Sequence, residues 1–72
     1  MKVKDAVAKL TEQGNKLAAD LLLDKAMIGD RERPYIFISD IDDLAWESGL
    51  ASFLTDNCDY VNAVKGAMIY FK

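Results

Sequence analysis

The sequence predicts a small α+β domain. Three observations carry this: an apolar stripe of helical spacing from Val3 to Ile28, a run of β-branched and aromatic residues at 35–38 behind Pro34, and an amphipathic stretch over about 40–55. A strand at 35–38 standing alone would leave its backbone donors and acceptors without a ladder. The only other compact strand signal is Ala67-Met68-Ile69-Tyr70-Phe71, so a C-terminal strand is expected at about 66–71. The alternative is an all-α chain with a C-terminal helix over 60–71, which would align Tyr60, Val64, Ala67 and Phe71. Residues 1–72 are expected to form one domain, since 72 residues leave no room for a second core.

Taken in order, Val3, Val7, Leu10, Gly14, Leu17, Leu21 and Ile28 recur at intervals of three, four or seven and fall on one side of a helix. Lys4, Asp5, Lys9, Glu12, Lys16 and Asp20 mostly lie off that side. Gly14-Asn15 interrupts the pattern: Gly is a natural residue just past a helix C-terminus and Asn a good N-cap. The stripe keeps phase across it, so one long helix and two helices broken at Gly14 are both consistent with the spacing. Gly29-Asp30 reads as a helix exit and turn, Arg31-Glu32-Arg33 as a charged connector, and Pro34 as the stop before the strand. Ser39 or Asp40 is expected to cap the next helix, with Asp42 or Asp43 in the position of a capping box. In that helix Trp46, Leu50, Phe53 and Leu54 share one face and Glu47, Ser48, Ser52 and Thr55 the other. Trp46 is expected in the core, and Tyr35, Tyr60 and Tyr70 in the core or at the rim of an interface. Asp56-Asn57-Cys58-Asp59 is expected to be a loop.

The charges are sorted along the chain. Residues 34–64 contain Asp40, Asp42, Asp43, Glu47, Asp56 and Asp59 and no Lys or Arg, while seven basic residues precede Pro34 and Lys65 and Lys72 follow. The basic residues before Pro34 are diluted by acidic ones, and no basic patch emerges. With a net charge of −3, this argues against direct nucleic-acid binding, which relies on Lys and Arg neutralising phosphates. No apolar run approaches the roughly 18 residues of a membrane span. A single cysteine and no signal peptide point to a reducing, cytoplasmic setting.

The same inventory restricts chemistry. With no His, the Ser-His-Asp and Cys-His arrangements are excluded within one chain, and one Cys without His makes a structural zinc site improbable. Cys58 lacks a neighbouring base, and its acidic surroundings do not favour the thiolate. A calcium loop counted from Asp40 fails at its fifth position, Leu44, and again at its sixth and twelfth, Ala45 and Ala51. No cofactor and no metal are expected, and no catalysis. Asp40, Asp43 and Glu47 at i, i+3 and i+7 would share a helix face.

The expectation that remains is a small non-catalytic interaction module, an inhibitor, adaptor or regulator, that docks a protein partner with a basic surface. Asp40, Asp43 and Glu47 would form its acidic face and Asp56 and Asp59 a second acidic spot. The alternatives are a nucleic-acid mimic that occupies a nucleic-acid-binding protein, and an accessory enzyme subunit or carboxylate-based metal binder. Small domains bury a modest share of their surface, so a homo-oligomer with the Val3-to-Ile28 stripe as its seam is a further alternative.

Overall fold

The computed structural model describes residues 1–64 and 66–71. In chain order it contains α1 (Val3–Glu12), α2 (Lys16–Ala26), β1 (Met27–Ile28), β2 (Arg31–Glu32), β3 (Tyr35–Phe37), a 3-10 turn (Ile38–Asp40), α3 (Asp43–Ala45), a π-type turn (Trp46–Leu50), α4 (Ala51–Asn57), β4 (Cys58–Ala63) and β5 (Gly66–Phe71). The predicted α+β class is found, and β5 occupies the predicted C-terminal strand. Lys65 and Lys72, the basic residues of the tail, lie outside the described residues.

The N-terminal stripe is divided at Gly14. Gly14 has φ +79°, the left-handed region that an L side chain rarely adopts. Its N–H donates to the Thr11 carbonyl at 3.0 Å and the Asn15 N–H to the Leu10 carbonyl at 2.9 Å, the paired bonds of a Schellman motif. Asn15 then starts α2, its side-chain oxygen accepting from the Ala18 N–H at 3.2 Å. The turn changes the phase of the stripe. α1 buries Val3, Ala6 and Leu10, whereas α2 buries Ala18, Ala19, Leu22 and Ala26 and leaves Leu17 51% exposed. The expected single stripe from Val3 to Ile28 therefore does not exist, and with it goes the proposed seam between copies, because Val3 and Leu10 are in the core.

Met27 and Ile28 are not helical but pair with Glu32 and Arg31 as a two-residue hairpin. Gly29, at φ +62°, takes the first central position of its turn. The expected connector 31–33 thus holds strand β2. Its Glu32 carboxylate accepts from the Lys4 N–H at 3.1 Å and so caps α1 from a distant part of the chain, since Lys2 supplies no side-chain cap.

The predicted helix at 40–55 starts later and is kinked. Ile38–Asp40 forms a 3-10 turn, and neither this turn nor α3 receives a side-chain cap from Ser39, Asp40 or Asp42. Within the π-type turn Gly49 sits at φ +107° and breaks the helical path. Asn15 Nδ2 donates to the Ser48 carbonyl there at 3.0 Å, and Ser48 Oγ donates to the Ala45 carbonyl at 2.6 Å. One side chain thereby caps α2 and satisfies a carbonyl at the kink. Beyond it Leu50, Phe53 and Leu54 are buried as expected, and Trp46 is partly buried against the core.

The expected loop at 56–59 is instead the end of α4 followed by β4. β4 and β5 form an antiparallel hairpin from Cys58↔Phe71 to Ala63↔Gly66, and β3 pairs with the other side of β5. The strand order is β3-β5-β4. Ile36 and Ile69 are cross-strand neighbours and nearly inaccessible, on the face that the helices cover. The opposite face carries Tyr35, Phe37, Val61, Met68 and Tyr70, none of which belongs to the helix-packed core. Tyr35 stacks edge-on with Phe37 at 5.5 Å and lies 5.6 Å from Tyr70. Cys58 begins β4 and is 3% exposed.

Candidate functional site

The most distinctive concave surface lies where α2 meets the segment leaving β3. It is a groove of about 440 Å³ lined by Leu17, Asp20, Leu21, Asp24 and Lys25 of α2 and by Ser39, Asp40 and Asp42. Four carboxylates and two leucines share it. Lys25 is its single basic residue among those described, and its Nζ lies 3.6 Å from Asp24 Oδ2. A partly exposed pair of this kind contributes little to stability, but it leaves the groove without an uncompensated positive charge.

Each wall has a local cause. Leu17, Asp20, Leu21 and Asp24 stand at i, i+3, i+4 and i+7, one face of α2. That face turns outward because Ala18, Ala19, Leu22 and Ala26 occupy the core side. On the second wall Ile41 is 8% exposed and anchors the link between β3 and α3, with its N–H donating to the Ile38 carbonyl at 3.0 Å. Its neighbours Asp40 and Asp42 are exposed. Neither caps a helix through its side chain, so the local structural role expected for these acids is not the one they play.

The residues singled out from sequence are dispersed. Asp40 lines the groove. Asp43 and Glu47 are exposed on the following helical segment, and the helix face expected to join them to Asp40 is interrupted because Asp40 precedes the helix. Asp56 lines a different cleft of about 240 Å³ together with Lys9, Gln13 and Asn57. Asp59, three residues on, stands opposite Tyr70 on the outer side of the sheet. Sequence reasoning missed Asp20, Asp24 and Asp42. The first two carried a readable signal, the Leu17/Leu21 and Asp20/Asp24 pattern on one helix face. It was obscured by assigning both leucines to the single apolar stripe from Val3 to Ile28.

Among the described residues no three acidic or cysteine side chains are arranged to hold a metal ion, so the four carboxylates line a surface and do not converge on a point. Among them no helix is long and apolar enough to cross a membrane. Compared with known proteins, the chain matches no family model, no curated protein and no solved structure.

Proposed function

We propose that the protein is a non-catalytic interaction module whose groove between α2 and the 39–42 segment docks a basic, amphipathic segment of a protein partner. The supporting observation is that Asp20, Asp24, Asp40 and Asp42 line one groove together with Leu17 and Leu21. Carboxylates on both walls favour Lys and Arg, while the leucines give an apolar side chain somewhere to bury. The charges would speed encounter and select the partner, and the apolar contact would supply most of the affinity. A helical partner segment fits this division, with apolar residues at i and i+4 and basic residues on the flanks. The carboxylates are gathered in a groove and not strung along an exposed ridge, so nucleic-acid mimicry gains no support from them.

Selection of a displayed library of helical peptides on the full chain tests this reading. Enriched peptides should combine Lys or Arg with a Leu-type anchor, and their contacts mapped by NMR should fall on Leu17, Leu21 and Asp40. Asp20→Lys with Asp40→Lys should weaken the best peptide by about tenfold or more, the order of one or two lost charge pairs. A consensus without basic residues, unchanged binding by that double variant, or an affinity indifferent to salt would sink the proposal.

A further inference from the structure

We propose that two copies of the chain pair antiparallel along β4 about a two-fold axis centred on Val61, joining their sheets into one of six strands. β4 is an edge of the sheet in the order β3-β5-β4. It pairs with β5 over six consecutive positions, so it has no bulge. Edge strands of folded proteins are ordinarily guarded by Lys, Pro, bulges or shortness. β3, the other edge, has such guards: it is three residues long, follows Pro34 and ends in a 3-10 turn. β4 has none. Its sequence Cys58-Asp59-Tyr60-Val61-Asn62-Ala63 contains no Lys, Arg or Pro, and Tyr60 and Val61 are 50% and 40% exposed.

The occupant follows from symmetry and charge. Centred on Val61, the pairing sets Val61 against Val61 of the second copy, Tyr60 against Asn62, and Asp59 against Ala63. No like charges oppose one another, which would destabilise a cross-strand pair. On the outer face Phe37, Met68 and Val61 already form one cross-strand row. The second copy continues that row across the axis and keeps both sets of helices on the same side. Two chains of net charge −3 repel over most of their surfaces. The acidic groove, however, is built from the segment that leaves β3, so pairing through β4 puts the two grooves at opposite ends of the joined sheet and leaves both open. A small domain with a modest core also gains most from added buried surface.

Sedimentation of the full chain from about 1 μM to about 1 mM tests this, covering the affinities of weak to moderate self-association. The native mass should rise from 8.0 kDa toward twice that value. Val61→Lys, which sets two ammonium groups opposite each other, should raise the midpoint concentration about tenfold or more while circular dichroism stays native. V61C should cross-link into a disulfide dimer on mild oxidation, whereas the native chain, whose only thiol is the buried Cys58, should not. Should Val61→Lys fail to fold, the cross-link decides alone. A native mass that stays at one chain throughout, a Val61→Lys chain that associates like the native one, or a V61C chain that does not cross-link overturns the proposal. None of these readouts involves the groove, so the docking proposal stands or falls separately.

Discussion

α1 and α2 are nearly equal in length, ten and eleven residues, yet they distribute their apolar side chains differently. α1 concentrates them on one narrow face, Val3, Ala6 and Leu10, and its remaining positions are largely polar. α2 faces the core mostly with alanines and holds Leu17 and Leu23 half in solvent. Small side chains on the inner face let α2 approach α1 and α3 closely. Of its larger side chains only Leu22 is fully enclosed, while Leu21 is partly buried and Leu17 stands half in solvent beside Asp20 and Asp24. This surplus of exposed apolar surface is what the docking proposal draws on.

Substitutions on the two faces of α2 break or sharpen this contrast. The largest effect is expected at Leu22, which is wholly buried. Leu22→Ala should cost about 2–5 kcal/mol in urea unfolding, the range for an emptied core site, and a loss below about 1 kcal/mol would mean that the inner face of α2 is not core. Next is Asn15, which fixes where α2 begins. Asn15→Ala removes both the cap on Ala18 and the bond to the Ser48 carbonyl and should cost about 1–2 kcal/mol. Asn15→Asp keeps the capping oxygen and loses only the donor, so its loss should be smaller; equal losses would show that the tie to the kink outweighs the cap. The smallest effect is expected at Leu17. Leu17→Ser should change stability by no more than about 0.5 kcal/mol, as for an ordinary surface site, while weakening capture of a basic amphipathic peptide. A clear destabilisation there would assign Leu17 to the fold and remove the apolar part of the groove.

What the sequence disclosed, and what it hid, follows from the range of the interactions involved. The fold class, the strand at β5 and the buried set Leu50, Phe53 and Leu54 were legible because each rests on local periodicity or on the need of β3 for a partner. β4 was hidden because Asp56-Asn57-Cys58-Asp59 has a turn-like composition and Tyr60 to Phe71 fits a helical spacing as well. Hairpin β1-β2 was hidden because Ile28 happens to fall in phase with the helix before it. The kink at Gly49 was not anticipated, although Gly is the residue that a φ of +107° favours. As for the groove, Asp40 was read from the charge pattern, but Asp20 and Asp24 belong to a stretch of mixed charge and reach Asp40 only through tertiary packing. Linear charge counting separated what the fold joins.

The order of strands in the sheet also bears on how the chain folds. β5 is the central strand, and it is the last of the three in sequence. β3 and β4 precede β5 in the chain, and neither has a ladder to join until β5 is in place. The α1–α2 pair, by contrast, closes through neighbours near in sequence and can form early. A folding chain with its helices formed and β5 not yet docked leaves two strands without their shared neighbour, and the run Tyr35-Ile36-Phe37-Ile38 is then open to wrong partners. The time spent in that stage is set by the rate at which these non-local pairings form, and not by the stability of the finished fold.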